Sequence, residues 1–338
     1  MVERTTENRE VTGSTPVGAT IGLQRRSLPL GWVPQGRTSR SGDGTRYFWR
    51  MTRLHEAQID LPDALVRSLV DSQFPQWREL PLTQVSSAGT IHRIDRLGDE
   101  FVVRLPFIDW AVEDVAKDSV RLPMLAAALP VEVPQLVGRG VPAEGMPWHW
   151  GVYRWLDGRH PTPGDDDAVV AAGLADAVLA LRSLPPAGDP SPAAFLAARD
   201  NDVTRPKVVE LGSSAALAAW DAAVSLGPEP APASAWVHGD LMPGNVLLRD
   251  GRVSAIIDWG ASGVGDPALD LLAAWTCFGP TGRAAYLAVL DATQAQATLA
   301  RALAVRKVAW GLPYYRDTNP GFAAAMAHTL AQIEADTV

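Results

Sequence analysis

The chain has 338 residues, of which 47% are hydrophobic and 20% charged, and its formal net charge is −8. This is ordinary globular composition for one large domain or two smaller ones, and the acidic balance argues against a nucleic-acid partner gripped through its phosphates. The single cysteine, Cys277, excludes an internal disulfide, no apolar run reaches the roughly 20 residues that span a bilayer, and the N-terminus has no secretory h-region, so a cytoplasmic chain without a membrane partner is expected, as monomer or homodimer.

Residues 1–50 are rich in Thr, Ser, Gly and Arg and show little periodicity. Eight arginines there face only Glu3, Glu7, Glu10 and Asp43, so the segment is basic while the remainder is more acidic than the whole. Such a segment buries too little apolar surface to offset its chain entropy, and a disordered extension is expected over 1–50. A helical pattern begins at Met51, which is a candidate natural start.

"LPDALVRSLVDSQF" repeats its apolar residues at three-and-four spacing, with Asp60 as expected cap and Pro62 in the first turn. "LPLTQVSSAGTIHRIDRLGDEFVVRLPF" alternates like two strands joined at Gly98-Asp99. "VEDVAKDSVRLPMLAAAL" is expected to be a helix that Pro123 bends or interrupts, and "WHWGVYRWLDG" a strand running into a polar stretch. Helices are then expected over 168–184, 191–200, 213–226, 267–278, 281–291, 295–312 and 320–335, with one strand pair among them. The fold class is therefore α+β, with a small sheet-containing unit over 51–153 and a mostly helical unit over 154–338.

The strand pair holds the densest chemistry. In "WVHGDLMPGNVLLRDGRVSAIIDWG", a loop broken by Pro243 and Gly244 precedes two apolar strands around an Asp250-Gly251 turn. The loop and the end of the second strand lie side by side, which brings Asp240, Asn245 and Asp258 to one end of a hairpin. Oxygen-bearing side chains converging there suit Mg²⁺, which takes few protein oxygens and completes its shell with substrate phosphates. A remaining carboxylate can accept the proton of an attacking hydroxyl, and together these are the parts of phosphoryl transfer.

"HGDLMPGN" followed by "IIDWG" resembles the catalytic loop and metal-binding motif of the aminoglycoside phosphotransferase family, small-molecule kinases with a protein-kinase-like bilobal fold. The order of the chain from Met51 is similar as well. The resemblance implies that Asp240 is the catalytic aspartate and that Asn245 and Asp258 are the metal ligands. His238 matches the loop histidine and is expected to pack and hydrogen-bond rather than do chemistry. Asp266 and Asp270 in "GDPALDLL" match acidic residues expected to support the loop.

The resemblance assigns the nucleotide to the N-terminal half. "SSAGT" at 86–90 has one glycine, and Ser87, Gly89 and Thr90 can lay backbone N–H groups on phosphate oxygens. Arg104 in "EFVVRLP" stands where protein kinases carry lysine, with Arg93 or Arg96 as alternatives. Its helix partner is expected to be Asp118, with Glu113 or Asp114 as alternatives, and Tyr153 lies in the strand expected under the adenine, with Val152, Arg154 and Trp155. The implied reaction moves the γ-phosphate of ATP, with Mg²⁺, to a hydroxyl of a small molecule, an aminoglycoside-like or other antibiotic or a metabolite such as choline, homoserine or a sugar. The acidic surplus points to a cationic acceptor, with Asp157, the run at 164–168, Asp200, Asp202 and Glu334 as acidic candidates and Trp275, Trp310, Tyr314 and Tyr315 as stacking surfaces. A kinase-like protein that binds nucleotide without turnover is the alternative, against which the intact Asp240, Asn245 and Asp258 argue. A protein kinase is disfavoured because Asp266-Pro267 follows Asp258 too closely for an activation loop.

Overall fold

The structure, a computed structural model, describes residues 58–85, 91–187, 197–227 and 234–336. All of them fall in the compact unit that spans Met51–Val338. The readings made for 1–50, and for Ser87, Gly89 and Thr90, lie outside the described residues.

Helix α1 spans Asp63–Gln73 and buries Val66, Leu69 and Val70, one stripe at three-and-four spacing. Full burial of such side chains stabilises by about 1.5–3 kcal/mol each. The expected cap is displaced. Pro62, not Asp60, occupies the N-cap position, and no side chain caps the helix. Strands β1 (Leu82–Gln84), β2 (His92–Leu97) and β3 (Phe101–Pro106) follow, three strands where the alternation suggested two. The β2–β3 turn falls at Gly98, whose φ of 58° is the left-handed conformation that glycine adopts without steric cost.

Helix α2 runs unbroken over Asp114–Ala128 with Pro123 inside it. Pro123 is exposed while Leu122 and Leu125 on the opposite face are buried, so the carbonyl that loses its partner faces water and the packing holds the helix together. Strands β4 (Leu136–Gly140) and β5 (Trp150–Arg154) complete an antiparallel sheet of order β1-β2-β3-β5-β4. One core lies between this sheet and α1, built from Val66, Leu69, Val103, Leu105, Trp150 and Val152 among others.

The second part is helical. Helices α3 (Ala168–Arg182), α4 (Ala197–Glu210) and α5 (Ser214–Ser225) precede strand β6 (Ala235–Val237). Strands β7 (Val246–Arg249) and β8 (Arg252–Ile256) form the expected hairpin. Asp250 and Gly251 both have positive φ, 53° and 73°, the two-residue turn whose twist matches the flanking strands. Strand β9 (Gly263–Gly265) pairs with β6. Helices α6 (Ala268–Leu271), α7 (Ala273–Thr276), α8 (Pro280–Val289), α9 (Gln294–Tyr315) and α10 (Pro320–Ala335) end the chain. The single helix expected over 267–278 is thus two short ones. Helix α9 packs against α4, α5, α6 and α10. Leu122, Leu125 and Tyr153 from the first part belong to the large core of this second part. The result is the kinase-like α+β fold, a small antiparallel sheet followed by a mostly helical region. Among the described residues no helix is long and apolar enough to cross a membrane.

Candidate active site

The loop that leaves β6 is held by buried acceptors. Asp270 of α6 is fully buried, and its carboxylate accepts the N–H of His238 (2.9 Å) and of Gly239 (2.8 Å). Burial pushes the Asp270 carboxyl up, and His238 with those two N–H groups works against this. His238 is also buried. Its Nδ1 accepts the N–H of Asp240 (3.2 Å), which leaves Nε2–H to donate to the Ile257 carbonyl (3.0 Å), and its ring packs on Trp259. Asp266 is placed differently from the expectation. Its carboxylate accepts the N–H of Ala268 (2.8 Å), the first residue of α6, whose N-cap position is Pro267.

Three residues meet at the end of the β7–β8 hairpin. The Asn245 amide nitrogen donates to the Asp240 carbonyl (2.8 Å) and reaches its carboxylate at 3.3 Å. The N–H of Ile257 donates to the Asn245 carbonyl (2.9 Å), which ties the end of β8, and with it Asp258, to the loop. Asp258 has φ 62° and ψ 69°, a left-handed conformation that a residue with a side chain rarely adopts. Such strain persists only where the surroundings enforce it.

Arg104 of β3 reaches Asp258, with Nη2 2.5 Å from Oδ1. The same guanidinium lies 3.7 Å from Asp118 and 3.8 Å from Asp114, both on α2. The expected helix partner, Asp118, is therefore in place, and it shares the cation with Asp114 and Asp258. Asp118 also accepts the Tyr153 hydroxyl at 2.7 Å. Asp114, held open as an alternative, also lies 3.4 Å from His92 Nε2, whereas Glu113 pairs with Lys117 at 2.9 Å. Arg93 and Arg96 are occupied elsewhere. Arg93 bonds Asp95 and Asp63, and Arg96 stacks 4.3 Å above the Trp155 ring.

The charges perturb one another. Burial works to raise the Asp258 carboxyl, but Arg104, His92 and His238 outweigh it and hold the group below the usual carboxylate range. Burial pushes Asp114 up to about 6 in spite of Arg104. Asp118 also rises through burial, opposed by Arg104 and the Tyr153 hydroxyl. Burial, aided by the Arg104 charge, lowers His92 well below its ordinary value, so its Nδ1 is free to accept from Arg104 at 3.3 Å.

The Tyr153 ring is buried and its hydroxyl donates to Asp118. Its backbone and that of Val152 sit in the ladder with β3 and β4. The N–H groups of Arg154 and Trp155 donate to the carbonyls of Gln135 and Glu100.

A residue that the motifs did not reveal completes the cluster. The ammonium of Lys307, on α9, pairs with Asp240. It lies 67 positions further along the chain, in a helix whose sequence carries no motif. The acidic acceptor-side candidates mostly have structural tasks. Asp157 accepts the Trp155 indole N–H, Asp165 pairs with Arg159, Asp166 accepts N–H groups of Thr281 and Gly282, and Asp167 caps α3. Trp275 is buried and donates to Asp336, whereas Trp310 and Tyr314 remain exposed.

The Asn245 amide oxygen and the Asp258 carboxylate are both oxygen donors, the ligand chemistry that would suit Mg²⁺ completed by substrate phosphates. Among the described residues no cluster of three His, Cys, Asp or Glu side chains would hold a metal by itself.

The chain is similar to known proteins in sequence and in fold. A relative, the uncharacterized protein YcbJ of Bacillus subtilis (strain 168), is 29% identical over 217 residues, 58% of this chain and 69% of the relative. The GDP complex of wild-type aminoglycoside 2'-phosphotransferase-IIIa superposes with a TM-score of 0.62 at 17% identity, covering 82% of this chain and 99% of that one. Macrolide 2'-phosphotransferase MphH from Brachybacterium faecium gives 0.52 at 20% identity, covering 81% and 98%. At these identities the solved structures are alike in fold. A family model described as the phosphotransferase enzyme family matches residues 80–305, and the chain belongs to that family.

Proposed function

We propose that this phosphotransferase moves the γ-phosphoryl group of ATP to a hydroxyl of a small molecule, at Asp240. The observation that carries the reading is the meeting of Asp240, Asn245 and Asp258 at one hairpin end, with Arg104 on Asp258. Asp240 orients the acceptor hydroxyl and takes its proton. Arg104 places phosphate oxygens, because a guanidinium is always charged and offers a planar fork of donors. His238 and Asp270 hold the loop in register by fixing three consecutive backbone N–H groups. Asn245 and Asp258 would hold Mg²⁺, which when bound neutralises phosphate charge. Structural neighbours include an ADP-bound aminoglycoside phosphotransferase, a complex with GDP and kanamycin, and a ternary complex with streptomycin and ATP. They support a purine nucleotide as donor and an antibiotic hydroxyl among the acceptors to be tried, beside metabolite alcohols.

The test is an ATP-consumption screen over aminoglycosides, macrolides, sugars and amino alcohols. Asp240→Asn should abolish transfer of any acceptor found while a nonhydrolysable ATP analogue still binds. Near-normal turnover by that variant would remove Asp240 from the mechanism.

A further inference from the structure

This inference rests on the phosphotransfer reading above and concerns which acceptors the same site admits. The loop 238–245 contains no lysine or arginine, and the residue two places after Asp240 is the buried Met242. The cation on Asp240 comes instead from α9, where Lys307 pairs with Oδ1. The two side chains are 26% and 31% exposed, so the pair sits at the mouth of the site rather than in the core.

The same face of α9 continues outward. Trp310 and Tyr314 follow Lys307 at i+3 and i+7, which stacks them along one side of the helix within about 10 Å. They are 39% and 51% exposed, unusual for large rings on a helix whose other face is buried. Trp310 is fixed in place. Its indole N–H donates to Thr204 Oγ1 at 3.2 Å, and the Lys207 ammonium lies 5.0 Å above its ring. Among the described residues no carboxylate ion-pairs with Lys207. The ledge leading to Asp240 is thus aromatic and carries two ammonium groups. That is the wrong charge for a polyamine and a suitable one for a ring alcohol that is neutral or anionic near its hydroxyl.

We propose that Lys307 is a specificity-determining residue that stands beside the reacting hydroxyl, selects neutral or anionic ring alcohols and rejects acceptors with an ammonium next to that hydroxyl. In the transfer, the acceptor oxygen bonds to the γ-phosphorus and the bond to the β–γ bridging oxygen breaks. ADP leaves with that electron pair, and the hydroxyl proton passes to Asp240. Lys307 takes no part in these bond changes and acts by its charge.

The test is equilibrium binding to the full chain with an ATP analogue and Mg²⁺ present, using three probes: nitrophenyl glucuronide (anionic), nitrophenyl glucoside (neutral) and kanamycin (polycationic). Wild type should bind the glucuronide most tightly and kanamycin least. Lys307→Glu should bind kanamycin at least tenfold more tightly than wild type does and lose the preference for the glucuronide. Lys307→Met, which keeps the length of the side chain, should move in the same direction by less and covers the case in which the glutamate variant does not fold. Tightest wild-type binding to kanamycin, or variants that keep the wild-type order, would overturn the proposal. Binding of the ATP analogue is recorded separately, so a protein that binds no nucleotide refutes the phosphotransfer reading, whereas an intact nucleotide site with the wrong probe order refutes only the role of Lys307.

Discussion

Replacing Arg104 by alanine removes the one cation shared by Asp258, Asp118 and Asp114. At about 4 Å and an effective dielectric near 20, one such pair is worth about 4 kcal/mol before the cost of desolvating the charges. Asp258 is 39% exposed, so its share is screened, and the two pairs at 3.7–3.8 Å are long. A net loss of about 2–3 kcal/mol in stability is expected, which for a chain of this size lowers Tm by roughly 3–5 °C. Catalysis should suffer separately, because a missing phosphate donor typically costs about 2–4 kcal/mol in transition-state stabilisation. The two losses separate by experiment: melting at pH 7 without nucleotide, and kcat and KM for ATP at a temperature well below both transitions. Arg104→Lys should recover most of the melting temperature and only part of kcat/KM, since lysine keeps the charge but loses the fork. Unchanged ATP kinetics in Arg104→Ala would refute the phosphate role, and an unchanged Tm would refute the claim that it neutralises three carboxylates.

Three further outcomes follow from buried groups. Asp270→Ala leaves two buried N–H groups without their charged acceptor, so a loss of about 3–5 kcal/mol is expected, with kcat reduced far more than nucleotide affinity; a melting curve like wild type would contradict it. Asp114 is held up at about 6 in the fold against 3.8 for the free group, so its ionisation opposes folding; the penalty is absent below pH 4, grows as pH rises toward 6 and is complete above it, worth about 3 kcal/mol at most. Asp114→Asn should therefore raise Tm at pH 7 and converge on wild type near pH 4, and pH-independent curves would sink the assignment. Cys277 is buried and its thiol pushed up to about 12 by burial, so an aromatic disulfide reagent at pH 8 should leave the native protein untouched and titrate one thiol in urea; rapid reaction of the native protein would show that the site opens.

The site was legible in the sequence where it is local. Asp240, Asn245 and Asp258 fall within one short stretch, and the Asp250-Gly251 turn fixes how that stretch folds back, so turn chemistry alone brings them to one end of a hairpin. The long helices were legible for a similar reason, since α3, α5, α9 and α10 advertise themselves by composition and spacing over many turns. Strands β4 and β9 were not. They are five and three residues long and rich in glycine, so they carry too little alternation to be seen, and their pairing with β5 and β6 is decided by tertiary packing. The helix partner expected for Arg104, Asp118, is in place at 3.7 Å, and what spacing could not show is that Asp258 and Asp114 share the same cation. Spacing on α2 offers Asp114 and Asp118 as neighbours, one helical turn apart, and only the Tyr153 hydroxyl, arriving from β5, decides how Asp118 is shared.

The cations show why the motif and the specificity of this site are separable. Asp258 is paired with a residue 154 positions away on β3, and Asp240 with one 67 positions away on α9. Neither cation belongs to the segment that carries the carboxylates, and each is presented by an element with its own packing reasons for existing. Strand β3 is central in the five-stranded sheet, so Arg104 is placed by a ladder on both sides. Helix α9 is anchored by a buried face that includes Leu303, Val305 and Val308, which leaves its open face free to vary in sequence without loss of the fold. A substitution at Lys307 therefore changes the charge that an acceptor meets while the loop geometry, set by Asp270 and His238, stays as it is. The chain belongs to the phosphotransferase enzyme family, and on the proposal above the charge that an acceptor meets is carried by a helix that the motif does not contain.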